Sequence, residues 1–380
     1  MSLVFYGKQF IDKNDINEVI KSLKNNLITT GPYVKKFERS LSVKFSAPYA
    51  ITCSSGTAAL HLAFMAINLS KNDIIILPSI NFVAAANMAL ELGAKIYFAD
   101  INSKTGQVTY DSVKECINKN RIKKIKAILT MYHGGYPRNI GDFFKLKKKY
   151  NCYLIEDSCH ALGAKYFYGK KKFMIGSCRH SDISTFSLHP VKSITSGEGG
   201  VVTTRNKKIA KKIMLLRSHG IERDKKKYWN YDIKTSGFNY RLSDINSALG
   251  NSQLKKLDKF IKKRKEVFDL YNIELKDFKD ICSLIRPEAK TYSSYHLALL
   301  NINFEKLKKN KDDLINFFLK NQIATQYHYI PFYKFKKFKK NFKHHKNKFE
   351  GSKIFFLNVL SMPIYYELKN YQILRITRLL

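Results

Sequence analysis

From Ile51 to Thr204 the chain alternates between two hydrophobic rhythms. Short apolar runs, suited to strands, recur at Asp73–Leu77, Lys95–Ala99, Ala127–Met131, Tyr153–Glu156, Ile183–Leu188 and Val201–Thr204. Between several of them lie stretches with helical spacing, such as Thr57–Ile67, Val83–Leu92 and Asp142–Lys149. This alternation predicts an α/β fold, with a mostly parallel sheet and helices on both faces. Ligands of such sheets sit at the carboxyl ends of the strands, so the residues that follow the strands carry the interest. From about Leu242 the pattern changes to long, lysine-studded helices, Asp244–Asp258 and Lys259–Tyr271. The remainder mixes short strands and helices, which predicts a smaller α+β domain. The division expected is residues 1–255 and 256–380. No internal repeat and no Gly/Ser linker is evident.

Charge adds one question to this picture. Lys and Arg outnumber Asp and Glu 68 to 30, a formal charge of +38, so a nucleic-acid binder has to be considered. The basic residues are spread along the chain among many Asn and Ile, which a compositional bias also produces. The densest cluster, Lys334–Lys348, interleaves Phe335, Phe338 and Phe342. Such rings could stack on bases. Their spacing of three and four favours an amphipathic helix packed on a core, and no nucleic-acid partner is expected.

No apolar run is long enough to span a membrane, and no membrane partner is expected. Met1 to Asp15 lack a basic region followed by an apolar stretch, so no signal peptide is expected. The cysteines Cys53, Cys116, Cys152, Cys159, Cys178 and Cys282 show no paired metal spacing. They fit a cytoplasmic protein with reduced thiols and no metal. The pair Cys159-His160 has no CxxC or HxxxH companion that would make it a zinc site.

Candidate chemistry lies in four segments. The first is Phe186-Ser187-Leu188-His189-Pro190-Val191-Lys192, followed by Ser193 to Gly200. Lys192 follows an apolar run and has apolar, small or hydroxylated neighbours. A partly desolvated lysine has a lowered pKa and can hold a carbonyl cofactor as a Schiff base. It could equally cap a strand. The second is Cys53-Ser54-Ser55-Gly56-Thr57-Ala58, a small polar turn opening a helix. It suits a phosphate and also an ordinary N-cap. It is not a P-loop, because the GxxxxGK[ST] spacing is missing. The third is Leu154-Ile155-Glu156-Asp157-Ser158-Cys159-His160, an apolar strand ending in acids. A carboxylate there can face a buried pyridinium nitrogen or cap a helix. The fourth, Ser236 to Asp244, is a polar-aromatic loop that could donate to anions from Asn239, Tyr240 and Arg241, or simply start a helix.

Together these segments resemble the DegT-type family of pyridoxal-phosphate-dependent sugar aminotransferases. The resemblance extends from Leu27-Ile28-Thr29-Thr30-Gly31-Pro32 to Gln326-Tyr327-His328-Tyr329-Ile330-Pro331 and Leu360-Ser361-Met362-Pro363. Residues 186–195, 216–221, 237–244 and 253–258 are most similar to the 4-aminotransferase branch of pseudaminic acid biosynthesis. Departures fall at Ser196-Gly197-Glu198-Gly199 and in the long basic segment Lys170–His180, where Cys178 replaces an expected small residue. A third is the end of the chain at Arg378-Leu379-Leu380, a few residues short of where the family's last helix is expected to finish.

The resemblance implies an aspartate-aminotransferase-like fold and bound pyridoxal 5′-phosphate. It implies Lys192 as the cofactor-bearing lysine, Asp157 as partner of the pyridine nitrogen, and His160 beside the cofactor's phenolic side. Gly56, Thr57, the Ala58 amide and Ser187 would form the phosphate cup, and Phe82 would lie over the ring. Asn239 would reach the phosphate of a neighbouring subunit, in a homodimer with shared active sites. Tyr6, Thr30, His219, Tyr240, His328 and Tyr329 would surround the substrate. The implied substrates are a nucleotide-linked 4-keto-6-deoxy sugar, with a UDP-linked N-acetylhexosamine favoured, and glutamate as amino donor. A dTDP- or GDP-linked sugar is the alternative.

Overall fold

The computed structural model describes residues 2–380 except 225, 228, 290, 343 and 344. Helices α1 (Lys13–Leu23) and α2 (Pro32–Phe45) precede the first strand, β1 (Tyr49–Cys53). The chain then alternates through α3 (Gly56–Ala66), β2 (Ile74–Pro78), α4 (Ala84–Glu91), β3 (Lys95–Ala99), α5 (Tyr110–Lys119), β4 (Ala127–Met131), α6 (Ile140–Tyr150) and β5 (Tyr153–Asp157). A hairpin, β6 (Lys165–Tyr168) and β7 (Lys171–Met174), separates these from β8 (Ile183–Ser187) and β9 (Gly200–Thr204), which are followed by α7 (Lys207–Leu216) and a short hairpin, β10 (Ile221–Arg223) and β11 (Tyr231–Ile233). The seven-stranded central sheet has the order β1-β9-β8-β5-β4-β2-β3. Strands β3, β2, β4, β5 and β8 are parallel. Only β9 runs against its neighbours β8 and β1. The carboxyl ends of β1, β2, β3, β4, β5 and β8 therefore open at one edge.

Both faces of the sheet are covered, and the strand period of two distributes the side chains between them. Ile75, Leu77, Ile96 and Phe98 join α3 and α4 in one core. Ile76, Tyr97 and Ala99, their immediate neighbours, join the opposite core. That second core also takes in the small C-terminal domain, whose antiparallel sheet is β12 (Cys282–Leu284), β13 (Ala298–Ile302) and β14 (Val359–Met362). The N-terminal segment is tied to this domain through Val4, by Val4 N to Gln322 O at 2.9 Å and Ala324 N to Val4 O at 2.8 Å.

The helices after Leu242 meet at a different joint from the one expected at Asp258. Helix α8 spans Asp244–Leu254 and α9 spans Leu257–Glu274. The Lys256 ammonium turns back to the Asp12 carboxylate at 2.9 Å and also contacts Asp15. The break lets Leu257, Phe260, Arg264, Val267, Phe268 and Tyr271 all face inward at helical spacing. At the other end of α8, the buried Asp244 carboxylate accepts from the Gly31 amide (2.7 Å) and the Tyr33 amide (2.8 Å). This fixes the entry into α2. The last helix, Asn370–Thr377, closes inside the chain, with the Arg378 amide bonded to the Leu374 carbonyl at 3.1 Å. In the basic segment, Cys178 is buried against Thr203 and Ser184, so the small-residue position is filled by a thiol.

The expected helix at 334–348 is not continuous. Two 3₁₀ turns, Phe332–Lys334 and Lys336–Phe338, lead into a short helix, Lys339–Phe342, and residues 343 and 344 lie outside the described residues. Phe332, Phe335 and Phe338 repeat every three residues, which matches the 3₁₀ period and not the α period. The packing half of the expectation holds. Phe98 of β3 stacks on Phe342 (4.7 Å, 8°) and Phe332 (4.9 Å, 26°), and Phe338 is buried edge-on to it. His345 Nε2 accepts from the Phe98 amide at 2.8 Å.

Phe338→Ala should therefore cost about 3–5 kcal/mol in urea denaturation, the usual loss for a buried phenylalanine. Alanine at the neighbouring Lys336 and Lys337 should change stability by under about 0.5 kcal/mol.

Candidate active site

A cavity of about 700 Å³ opens at the carboxyl edge of the sheet. Successive strand ends build its wall: Ser55, Gly56 and Thr57 after β1, Asn81 and Phe82 after β2, Asp157, Cys159 and His160 at the end of β5, and Ser187 and Lys192 after β8. Tyr6 enters from the N-terminal segment, and His296, His328 and Tyr329 enter from beyond α9.

Lys192 sits in a turn closed by its own amide, which donates to the His189 carbonyl at 2.9 Å. Removal from bulk water pulls its pKa down, against the nearby Cys159 and Asp157, which favour its charge, while Arg264 adds to the lowering. Asp157 is buried, and both its oxygens are engaged. Oδ2 accepts from Asn81 Nδ2 at 3.1 Å and Oδ1 from the Cys159 amide at 3.2 Å.

Across the cavity, α3 begins where β1 ends. The Ser55 hydroxyl accepts from the Ala58 amide at 3.1 Å and so caps the helix. The Ala58 amide, expected in the phosphate cup, is thus already used. The earlier amides, of Gly56 and Thr57, have no partner within the helix. Ser187 Oγ accepts from the His189 amide at 3.3 Å and stands directly opposite Gly56. A Cβ on Gly56 would lie 2.8 Å from Ser187 Cβ and 3.2 Å from its Oγ. Only glycine lets the helix start and the strand end approach this closely, leaving amides and hydroxyls around one anion-sized space.

Histidines form the floor. The His160 and His296 rings lie 4.2 Å apart, and His133 lies 6.0 Å from His160 on a nearly parallel plane. His160 Nε2 and the Tyr329 hydroxyl are 2.9 Å apart, and His328 Nδ1 and the Ser361 hydroxyl 2.8 Å. Burial holds His160, His296 and His328 well below the usual imidazole range, helped by the positive charge of Lys192. Burial holds His133 at about 4. The Tyr329 phenol is pushed up by burial and by Asp157. His160 Nδ1 and His296 Nδ1 are buried without a hydrogen-bond partner, so polar valence remains open next to the cavity.

Of the residues singled out from sequence, Tyr6, Gly56, Thr57, Phe82, Asp157, His160, Ser187, Lys192, His328 and Tyr329 all line this cavity. Thr30, His219 and Asn239 are exposed on loops that do not line it. Tyr240 bonds His61 Nδ1 at 3.0 Å and stacks on Phe238. Asn81 and His296 were not anticipated. Asn81 precedes Phe82 at a strand end, which was a usable signal. His296 carries none, because the fold alone brings it beside His160.

The neutral histidines tie stability to pH. Unfolded, each ring takes up a proton near 6.5, whereas His133 resists until about 4. In that window the unfolded chain binds more protons, so stability falls as pH drops, by up to ~1.4 kcal/mol per unit for each such ring. Urea midpoints should fall between about pH 7 and about pH 5, and His133→Asn should flatten the slope. A slope unchanged by that variant would exclude His133 as a source.

A family model described as the DegT/DnrJ/EryC1/StrS aminotransferase family matches residues 9–380. A UDP-4-amino-4,6-dideoxy-N-acetyl-beta-L-altrosamine transaminase of Campylobacter jejuni subsp. jejuni serotype O:23/36 (strain 81-176) is 39% identical over 338 residues, covering 89% of this chain and 86% of the relative. Among solved structures, the Helicobacter pylori PseC aminotransferase involved in the biosynthesis of pseudoaminic acid superimposes with a TM-score of 0.89 at 30% identity, over 100% of this chain and 98% of that one. The PLP-form of the putative sugar aminotransferase Spr1654 from Streptococcus pneumoniae gives a TM-score of 0.87 at 25% identity, over 99% and 97%. With a cavity on the strand edge and a match along nearly its whole length, this chain is an enzyme of the DegT/DnrJ/EryC1/StrS aminotransferase family.

Proposed function

We propose that the enzyme binds pyridoxal 5′-phosphate at Lys192 and transfers the amino group of glutamate to carbon 4 of a UDP-linked 4-keto-6-deoxy-N-acetylhexosamine. The observation that carries this reading is a desolvated lysine and a doubly held carboxylate facing the same cavity as an open helix N-terminus. Those groups fit the cofactor's aldehyde, its ring nitrogen and its phosphate. When bound, pyridoxal phosphate carries the amino group between donor and acceptor and takes up electron density in its ring.

This chain's residues have separate tasks in that reading. The Gly56 and Thr57 amides, with the hydroxyls of Thr57 and Ser187, hold the phosphate. Asp157, held in place by Asn81 and the Cys159 amide, would face the ring nitrogen and hold its proton. Phe82 covers the ring, and the His160–Tyr329 pair meets its phenolic side. Lys192 Nζ removes the proton from the donor's α-carbon in the first half-reaction and returns one to carbon 4 of the sugar in the second. Tyr6, His328 and Tyr329 offer the sugar ring a polar, aromatic wall.

The UDP sugar is favoured by the Campylobacter relative, whose name specifies a UDP-linked 4-amino-4,6-dideoxy sugar. We place the reaction in cytoplasmic synthesis of a surface glycan. The working unit in this reading is a homodimer. Thr30, His219 and Asn239 are exposed, as are the apolar Leu27, Ile28 and Phe238 on the same loops, which suits a face covered by a second copy.

Borohydride reduction of the holoenzyme followed by peptide mass spectrometry should place the pyridoxyl mass on Lys192, and Lys192→Ala should neither carry it nor transaminate. A label on another lysine would overturn the assignment. Asp157→Asn should keep the fold and lose most of the activity, about a hundredfold or more, because a neutral amide cannot hold the ring proton as firmly. Near-normal turnover would reduce Asp157 to a helix cap.

The substrate is checked by offering glutamate with UDP-, dTDP- or GDP-linked 4-keto-6-deoxy sugars, and separately with 2-oxo acids, reading product mass. Amination of the UDP-linked N-acetylhexosamine is expected. Acceptance only of a dTDP- or GDP-linked sugar would overturn the nucleotide assignment. Amination of oxo acids alone would overturn the sugar.

A further inference from the structure

Arg264 lies on the inward face of α9, outside the strand ends that build the site, and is 3% exposed. Arginine is almost never buried this deeply without a paired anion. Here, among the described residues, the guanidinium meets backbone carbonyls and no carboxylate. Nη1 donates to the His296 carbonyl at 3.1 Å and the Ile364 carbonyl at 2.9 Å, and Nη2 to the Val191 carbonyl at 3.4 Å. Three separate stretches of chain are thereby joined. Val191 is the residue before Lys192, His296 faces His160 in the floor of the cavity, and Ile364 follows β14 of the small domain. A lysine could not span three carbonyls in this way, because its single nitrogen lacks the planar fork.

We infer that Arg264 is a positioning residue for Lys192: it clamps the lysine's turn to the small domain, and it supplies an unpaired buried positive charge against which the lysine has to hold its proton. The inference rests on the reading of Lys192 as the reactive amine.

The charge side follows from what surrounds that amine. Asp157 at the end of β5 favours the ammonium, whereas burial pushes the Cys159 thiol up and it adds no charge at neutral pH. Arg264 on α9 opposes it, and desolvation opposes it most. His160, His296 and His328 also face it, but burial keeps them neutral, so they add no charge at neutral pH. Arg264 itself, brought down only to about 10 by burial, stays charged wherever the enzyme works. It is thus the fixed cation of the set, and removing it leaves desolvation alone to oppose Asp157. An ammonium is useless as a nucleophile or base. The work assigned to Arg264 is therefore to add to desolvation in keeping the amine neutral. The clamp side needs only the carbonyl bonds, so conservative variants separate the two.

The test uses cofactor-free full-length protein, so that it does not depend on transamination. Lys192 is labelled across a pH series with an amine-reactive probe, and the extent is read on its own peptide by mass spectrometry. Arg264→Met removes the charge and keeps much of the volume. It should raise the half-point of Lys192 labelling by about one pH unit, so that labelling below the half-point slows about tenfold, while an exposed lysine such as Lys35 is unaffected. Arg264→Lys keeps the charge and loses the fork. It should leave the half-point near its original value, while hydrogen exchange of the 188–194 segment rises. A folded Arg264→Met protein with an unchanged half-point overturns the electrostatic role. An unchanged exchange pattern in Arg264→Lys overturns the clamp. If Arg264→Met does not fold, Arg264→Gln, which can still donate to one carbonyl, is read by the same half-point, with the same outcomes. Borohydride labelling of the holoenzyme tests Lys192 separately: a pyridoxyl mass elsewhere would refute the site reading, even if Arg264 still governs the Lys192 half-point.

Discussion

Six strands that release the chain at the same edge of one buried sheet are the constraint on which this molecule depends. Parallel strands need long crossovers, and the crossovers cover both faces with helices. Side chains on the faces are then committed to the two cores, and the carboxyl edge is where polar groups can gather without displacing packing. Residues from β1, β2, β5 and β8 meet there although they are far apart in sequence. The close approach of Gly56 to Ser187 belongs to the same constraint. Strands β1 and β8 are separated by β9, which runs the opposite way, so their ends converge across it.

Within that edge the charges are sorted by what each is allowed to touch. Asp157 receives donors on both oxygens and so is held in a fixed orientation in a buried place. The histidines receive few partners and stay neutral. Lys192 lies between these conditions, drawn toward charge by its acids and away from it by desolvation and Arg264. An amine poised this way can exchange protons with carbon acids, which an exposed lysine at its ordinary pKa of about 10.4 does poorly.

Much of this was legible in the sequence, and the reasons are specific. The strand runs were readable because strands buried on both faces are continuously apolar, and the placement of Lys192, Asp157, Gly56 and Ser187 follows once the strand ends are known. The segment at 334–348 was read correctly for burial and wrongly for conformation. Apolar spacing of three and four is shared by α-helices and by chained 3₁₀ turns, and only contact with Phe98 decides between them. The joint between α8 and α9 was misplaced because the lysines there carry no periodic signal, and Lys256 ends the helix through acids at Asp12 and Asp15, far away in the chain. His296 and Arg264 could not be found at all. Their roles come from the small domain folding back on the strand edge, a tertiary event with no local trace.

Glu156 and Asp157 show how far the alternation of a strand reaches into chemistry. They are the same kind of acid, side by side at the end of β5, and residue type alone does not separate them. The strand turns them to opposite faces. Asp157 lines the cavity. Glu156 points behind the sheet, where the Tyr132 hydroxyl donates to it at 2.6 Å and the Ser184 hydroxyl also donates. There burial pushes its carboxyl up, with no cation among the causes to hold the charge. One acid is thus a structural anchor between β4, β5 and β8, and the other a functional carboxylate. A one-residue slip of β5 would exchange their positions and put the wrong acid in the cavity. The hydroxyls of Tyr132 and Ser184 hold Glu156 behind the sheet while Asn81 holds Asp157 on the cavity side, so the polar contacts behind the sheet are part of what keeps the site in place.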